Sequence, residues 1–281
     1  MADRMPRTWL ITGCSSGFGR LLARRVLERG ERVALTARDL ASIAELAARF
    51  GDSALALELD VTRPDTVRAA IAAAVVRFGS LDVLVNNAGY GLQAAAEEAL
   101  DSEVRAMFDV NLFGALDVIR AALPQLRSQG GGRIINVTSV GGRTAAPLIA
   151  LYAASKFALE GLSLGLGMEL APFGIHVSCI EPGAFATGFA AAVRGPRAPL
   201  DAYRGLHDSL DALLADLHFA DPAGCVDAIL AVADAAEPPR QLVVGGHATA
   251  MVLAGLDAQR AEIESWRALS EAADEPEGAK A

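Results

Sequence analysis

The sequence predicts an α/β fold, in which helices cover both faces of one doubly wound parallel sheet of about seven strands. Short apolar runs alternate along the chain with longer stretches of helical periodicity, a pattern typical of βαβ units. Apolar residues make up 52% of the composition, which is ample for a sheet covered on both sides. No proline- or serine-rich linker divides the chain, so residues 1–281 are expected to form a single domain.

Seven apolar runs are the candidate strands, because each is short and is bounded by turn residues or helical stretches. In chain order they are residues 8–12, 33–36, 54–59, 81–85, 133–138, 175–180 and 241–246. The clearest helical stretches are residues 20–27, 40–50, 97–127, 150–173, 221–234 and 248–272.

A long insertion separates two of these helices. It runs over about residues 184–222 and contains an amphipathic stretch at 200–217. Loops of this length are often lids over an active site, and a surface helix without a gating role is the alternative. The tail, residues 273–281, is expected to be disordered.

A glycine-rich turn follows the first candidate strand and precedes a helix. Its spacing is GxxxGxG rather than GxGxxG, and its residues are Gly13, Cys14, Ser15, Ser16, Gly17, Phe18 and Gly19. Glycines allow the tight turn and let backbone N–H groups approach a pyrophosphate at the positive end of the helix. The turn is therefore a candidate phosphate site, with a plain glycine turn as the alternative.

Tyr152 and Lys156 are four residues apart, so on a helix their side chains share one face. A free phenol titrates near pH ~10, and a neighbouring cation lowers that pKa. Ser139 ends an apolar run upstream, from where its hydroxyl can hold a carbonyl oxygen beside the phenol. The three side chains suit acid/base chemistry on a carbonyl or an alcohol.

Taken together with further motifs in matching order, these residues resemble the short-chain dehydrogenase/reductase family. Residues 12–19 are similar to its TGxxxGxG motif, 86–89 to its NNAG motif and 182–187 to its PGxxxT segment. The resemblance covers roughly residues 8 to 245 and implies a Rossmann-type fold with a nicotinamide cofactor.

The resemblance also assigns site residues. The implied catalytic residues are Asn111, Ser139, Tyr152 and Lys156. The implied cofactor-binding residues are Gly13, Ser15, Ser16, Gly17, Phe18, Gly19, Arg38, Asp60, Val61, Asn87, Ala88, Gly89, Tyr152, Lys156, Pro182, Gly183, Phe185 and Thr187.

In the implied mechanism, Tyr152 exchanges a proton with the substrate oxygen while hydride passes between the nicotinamide and the substrate carbon. Lys156 lowers the tyrosine pKa and binds the nicotinamide ribose. Ser139 orients the substrate oxygen, and Asn111 holds a water molecule of the proton relay. Each of these residues has a purely structural alternative, such as a turn cap, when it is considered alone.

The choice between NADP(H) and NAD(H) depends on the end of the second strand. A carboxylate there binds the ribose 2′-OH of NAD, whereas arginine accommodates the 2′-phosphate of NADP. Ala37 stands where the family places the discriminating acid, and Arg38 follows it. Asp39 is interpreted as a cap of the next helix, although it is also a candidate ribose ligand. NADP(H) is therefore the preferred cofactor, with NAD(H) possible.

The substrate is expected to be a hydrophobic alcohol, ketone or aldehyde, since the three loops that form the family's pocket are largely apolar here. The cofactor region resembles most the retinol and hydroxysteroid dehydrogenase-like branch. A cofactor-binding sensor without turnover is the alternative function.

Composition excludes other classes of partner. The net charge of −9 argues against nucleic acid, and no apolar run is long enough for a membrane span. Three cysteines and four histidines show no metal-ligand spacing, so no metal is expected. We expect a cytoplasmic protein that forms a homodimer or homotetramer through helices 97–127 and 150–173.

Overall fold

The computed structural model describes residues 6–274. Its strands are β1 (Thr8–Ile11), β2 (Arg32–Ala37), β3 (Ala54–Glu58), β4 (Val83–Asn86), β5 (Gly132–Val137), β6 (Ile175–Pro182) and β7 (Gln241–Val244). All seven pair in parallel in one sheet, in the order β3-β2-β1-β4-β5-β6-β7. The predicted fold class is confirmed.

Helices connect the strands, as parallel pairing requires. They are α1 (Gly17–Glu28), α2 (Ala41–Phe50), α3 (Pro64–Phe78), α4 (Asp101–Phe108), α5 (Ala115–Ser128), α6 (Ala150–Leu170), α7 (Phe189–Ala192), α8 (Arg204–Asp216), α9 (Pro222–Asp234) and α10 (Gly246–Ala272).

The sheet separates two apolar cores, because successive side chains of a strand point to opposite faces. Trp9 and Ile11 of β1 pack in one core with α1, α2 and α9. Leu10, between them, packs in the other core with α3, α5 and α6. All three side chains are fully buried.

The order of the strands reverses at β1, which lies between β2 and β4. The helix that follows β1 covers one face of the sheet, and α5, which follows β4, covers the other. The two connections therefore diverge and leave a crevice at the carboxyl ends of β1 and β4. Ligands of open parallel sheets bind at such a reversal.

The helix predicted over residues 97–127 is wrong at its start and in its middle. Residues 97–100 are a turn, and α4 begins at Asp101 because the Glu103 carboxylate accepts the N–H of Leu100 at 3.1 Å. A π-helical turn at residues 109–114 then separates α4 from α5. Such turns are rare within helices and are frequent at functional sites.

The long insertion begins and ends beside the sheet. Ala186 N–H donates to the carbonyl of Ala220 at 2.8 Å, and Ala220 N–H donates to that of Ala184 at 3.1 Å. Between these anchors the amphipathic stretch forms α8. Residues 275–281 of the predicted disordered tail lie outside the described residues. None of the helices within residues 6–274 is both long and apolar enough to cross a membrane.

Candidate active site

The candidate site lies in the crevice at the carboxyl ends of β1 and β4. The glycine turn after β1 forms one wall, and the loop after β4 forms the other. The loops after β5 and β6 line the remaining side of the crevice. The sheet thus brings together motifs that are separated by up to about 170 residues of sequence.

The glycine turn has the geometry of a phosphate cradle. Gly13 and Gly17 have positive φ values of 72° and 54°, which glycine adopts without strain. A Cβ atom on Gly19 would lie against the carbonyl of Gly13 and 2.5 Å from the amide nitrogen of Asn87. The N-cap residue of α1, Ser16, forms no side-chain cap, so its helix terminus can receive an anion.

Thr12 joins the two walls of the crevice. Its hydroxyl oxygen accepts the N–H groups of Asn87 and Ala88 at 2.9 and 3.0 Å. The Asn87 side chain donates in return to the backbone carbonyls of Thr12 and Gly13 at 2.8 and 3.2 Å. The NNAG motif therefore fixes the glycine turn relative to β4.

Arg38 and Asp39 follow the end of β2, and their side chains make different contacts. Arg38 is exposed and makes no hydrogen bond or ion pair with the other described residues. Asp39 accepts the N–H of Ala41 at 3.0 Å through its carboxylate and so caps α2. The helix begins one residue later than predicted, but the capping interpretation of Asp39 is confirmed.

Asp60 and Val61 lie beyond the end of β3. Asp60 Oδ1 accepts both the N–H and the hydroxyl of Thr62, at 2.9 and 2.8 Å. Val61 is buried and packs against Gly114, where a Cβ atom would come within 2.7 Å of the valine side chain.

The segment after β6 covers the glycine turn. Thr187 is the nearest side chain to the open side of Gly17, 3.6 Å from the position of a Cβ atom there. The Phe18 and Phe185 rings meet edge to face, with centroids 5.6 Å apart. Pro182 ends β6, and Gly183 N–H donates to the carbonyl of Val244 at 3.0 Å.

Tyr152 and Lys156 project from α6 on the same side, as the spacing predicts. The ammonium nitrogen of Lys156 lies 5.9 Å from the centre of the Tyr152 ring and donates to the carbonyl of Val137 at 3.2 Å. Ser139 follows β5, and a Cβ atom on Gly141 would lie 3.4 Å from both the Ser139 hydroxyl oxygen and the Tyr152 ring. The three side chains predicted to work together are therefore neighbours.

Burial shifts the pKa values of Tyr152 and Lys156 in opposite directions. It raises the pKa of Tyr152 to about 12, against the smaller opposite effect of the Ser139 hydroxyl. It lowers the pKa of Lys156 to about 8, because an ammonium group loses hydration inside the protein. The expected lowering of the Tyr152 pKa by Lys156 is therefore wrong for the protein as described, because burial outweighs it, and the phenol keeps its proton near neutral pH.

Asn111 lies in the π-helical turn and is buried. Its side chain exchanges two hydrogen bonds with the backbone of Tyr90, at 3.1 and 2.9 Å. It also donates to the hydroxyl of Ser155 at 3.0 Å, which donates to the carbonyl of Tyr152 at 2.7 Å. Sequence reasoning missed Ser155, a small polar residue on the buried face of α6.

The first part of the insertion lies against Tyr152. The Phe189 ring lies 5.8 Å from that of Tyr152 and is in contact distance of Gly91 in the loop after β4. Arg194 N–H donates to the carbonyl of Gly91 at 3.0 Å, and its guanidinium lies 4.4 Å from the centre of the Tyr90 ring. The insertion and the loop after β4 therefore meet beside Tyr152.

Glu98 binds two residues of the insertion. The sequence contained no signal that singled it out. Its buried carboxylate accepts the N–H groups of Leu200 and Ala95 at 2.9 Å and contacts His207 Nε2 of α8 at 2.9 Å. The Leu200 N–H contributes most to holding the pKa of Glu98 below its usual range. Among residues 6–274 no His, Cys, Asp and Glu cluster has the geometry of a metal site.

Residues 7–197 match the family model described as short chain dehydrogenase. This span is more than half of the chain and contains the crevice, the glycine turn and the Tyr152 cluster. The chain belongs to this family. Within the short chain dehydrogenases, solved neighbours hold NADP in some cases and NAD or NADH in others.

Three relatives illustrate the similarity. The oxidoreductase BOA17 of Botryotinia fuckeliana (strain B05.10) is 34% identical over 95% of this chain and 98% of its own length. A short-chain dehydrogenase from Streptomyces avermitilis has a TM-score of 0.90 at 37% identity, covering 98% of this chain and all of that one. A gluconate 5-dehydrogenase from Burkholderia cenocepacia J2315, solved with NADP and tartrate, has a TM-score of 0.74 at 31% identity, covering 88% and 97%.

The protein is therefore an oxidoreductase of the CH–OH group that uses a nicotinamide cofactor. The retinol and hydroxysteroid dehydrogenase-like branch stays a prediction, as do the roles of the individual site residues.

Replacing Gly19 by alanine is expected to weaken the binding of NADPH and NADH alike. The added methyl group meets the Gly13 carbonyl and the Asn87 amide, and overpacking of this kind costs about 1–3 kcal/mol, or on the order of 10- to 100-fold in Kd. Calorimetric titration measures the two constants. Gly224→Ala is the control, because the position is helical and no atom lies within 4 Å of the added Cβ. Unchanged binding in Gly19→Ala would contradict the assignment of the phosphate site.

Proposed function

We propose that the protein is an NADP(H)-dependent oxidoreductase that interconverts a hydrophobic alcohol with its ketone or aldehyde. Tyr152 is the general acid/base of this reaction. The observation that carries the proposal is the meeting of Tyr152, Lys156, Ser139 and Asn111 beside the glycine turn.

The residues of the crevice fit a dinucleotide. Gly13 and Gly17 have positive φ values, and a Cβ atom on Gly19 would clash with the Gly13 carbonyl, so only glycine allows this tight turn. The turn leads into the N-terminus of α1, where backbone N–H groups can bind a pyrophosphate. When bound, the nicotinamide supplies a hydride or accepts one. Lys156, deeper in the crevice, is the residue we assign to the nicotinamide ribose.

Side chains of the protein carry out the proton transfer in this proposal. In the reduction, Tyr152 donates its phenolic proton to the substrate oxygen, which the hydroxyl of Ser139 holds in place. The raised pKa of Tyr152 keeps the phenol protonated, which is the form that reduction requires. The Lys156 ammonium stabilises the phenolate that remains, and Asn111 holds a water molecule of the relay that restores the proton.

Two observations support NADP(H) over NAD(H). The Asp39 carboxylate already caps α2 through Oδ1, so its orientation is set by the helix and not by a ribose hydroxyl. Arg38 is exposed beside it without a partner among the described residues, so its guanidinium is available to fork onto a 2′-phosphate.

The apolar walls of the pocket support a hydrophobic substrate. Phe189 lies against Tyr152, and Leu148 and Leu92 are buried beneath the loops that meet there. We also propose the retinol and hydroxysteroid dehydrogenase-like branch, on the resemblance of the cofactor region. A single domain that carries both sites, a cytoplasmic location and a homo-oligomer remain proposals from the sequence. Exposed apolar side chains on the α5–α6 side, including Phe113, Phe157 and Met168, support the oligomer.

Tyr152→Phe is expected to lower kcat for NADPH-dependent reduction of a hydrophobic ketone by about 10²- to 10⁴-fold, because the proton donor is lost. NADPH binding should be unchanged. Steady-state kinetics over a panel of hydrophobic ketones and aldehydes, with calorimetry for the cofactor, measure both. Tyr203→Phe, which removes the same hydroxyl from the insertion, is the control. A wild-type protein that binds NADPH but turns over none of the panel would favour the sensor alternative.

Arg38→Ala is expected to raise the Kd of NADPH by about 10- to 100-fold, the value of a charge-assisted hydrogen bond of about 1.5–3 kcal/mol. The Kd of NADH should stay the same, because NADH has no 2′-phosphate. Arg49→Ala, at the far end of α2, removes an exposed arginine without this role. The NADP(H) preference would be refuted by a wild-type protein that binds NADH more tightly than NADPH.

A further inference from the structure

Two glutamates are buried behind the catalytic lysine. Glu160 follows Lys156 by one turn of α6, and Glu181 lies near the end of β6. Their side chains are 4% and 0% exposed, although ionised carboxylates are rarely buried unless paired. The mechanism described above uses neither of them.

Neutral donors hold the Glu160 carboxylate. The hydroxyl of Thr138 donates to Oε1 at 2.5 Å, and the amide of Gln241 on β7 donates to Oε2 at 2.8 Å. Two hydrogen bonds orient the group without cancelling its charge. The backbone of Gly142 closes the remaining side, since a Cβ atom there would lie 3.0 Å from Glu160 Cγ.

Lys156 and Glu160 are fixed to consecutive residues at the end of β5. The ammonium donates to the carbonyl of Val137, and the carboxylate accepts from Thr138. Residues four apart on a helix have side chains about 5–6 Å apart at Cβ, so the two charges are neighbours. Burial lowers the pKa of Lys156 to about 8, and the charge of Glu160 acts against that shift.

The other titratable groups around this pair come from neighbouring elements. Arg143, after β5, contacts Glu181 Oε1 at 3.2 Å, and Glu181 Oε2 has no hydrogen-bond partner within the described part of the chain. Burial, then the Glu160 charge, raises the pKa of Glu181 to about 7. Burial also keeps the Cys179 thiol of β6 protonated, because its pKa is raised. Of the groups around Lys156, Glu160 has the largest charge effect in favour of the ammonium form.

We propose that Glu160 is a positioning residue whose buried carboxylate keeps the Lys156 ammonium charged beside Tyr152. The proposal rests on the proposed function, in which a charged Lys156 stabilises the tyrosine phenolate. Without Glu160, desolvation of the ammonium is uncompensated, and Lys156 loses its proton at a lower pH. Reduction would then fail at a lower pH as well, since it needs the charged lysine.

The sequence offers a direct measurement, because Lys156 and Lys280 are the two lysines of the chain. In protein labelled with isotopic lysine, NMR follows the titration of each side chain without cofactor or substrate, and Lys156→Arg assigns the signals. In Glu160→Gln the pKa of Lys156 is expected to fall by about 1–2 units, the usual effect of one opposite charge at this distance. The alkaline limb of the pH profile of kcat/KM for ketone reduction should move down by the same amount.

Three variants complete the design. Glu160→Gln keeps the shape and one acceptor oxygen for Thr138, and its NH2 group can donate to Gln241 once that side-chain amide turns its oxygen inward. Thermal unfolding checks that the variant folds. Glu160→Asp keeps the charge and should restore a titration close to that of the wild type. Glu169→Gln makes the same charge change at an exposed position of α6 and should shift neither curve.

An unchanged pKa of Lys156 in Glu160→Gln would overturn the proposal, whatever the activity. A lowered pKa with an unmoved pH profile would also overturn it, because the charge of Lys156 would then not limit the reaction. Failure of the proposed function is separate: wild-type protein without turnover would show it, while the NMR titration would still report the coupling of the two side chains.

Discussion

Hydrogen bonds between Thr12 and the loop after β4 hold the site together. They join the end of β1 to Asn87 and Ala88 across the reversal of the sheet, where the two following connections diverge. With these bonds in place, the glycine turn lies beside the loop that leads to Asn111. Cofactor and proton donor can then face the same space, which is a requirement of hydride transfer coupled to proton transfer.

The chemistry of the site depends on burial as much as on residue type. The Tyr152 phenol and the Lys156 ammonium both lie out of water, where burial favours their neutral forms. A charged group close to either side chain then has a large effect on the pKa of that side chain. In the proposal made above, a second row of side chains, from Thr138 and Gln241 to Glu160, acts on the acid/base system through Lys156.

Much of the fold followed from local pattern. Apolar runs bounded by turns located all seven strands, because a parallel strand covered on both faces needs a continuous apolar segment. The start of α4 was missed because it depends on one side chain, Glu103, folding back onto the N–H of Leu100. The π-helical turn around Asn111 has no periodicity signal, since it is one wide turn inside a helical stretch.

By itself the sequence determined the fold class, the glycine turn, the helical pairing of Tyr152 with Lys156 and the capping role of Asp39. Each of these depends on residues that are close in the chain, so spacing and side-chain type are enough. Only the tertiary structure brought Glu98 against His207, Phe189 against Tyr152, and Glu160 beneath the strand end that binds Lys156. These contacts join distant segments, and they exist because the sheet and its loops bury those side chains together.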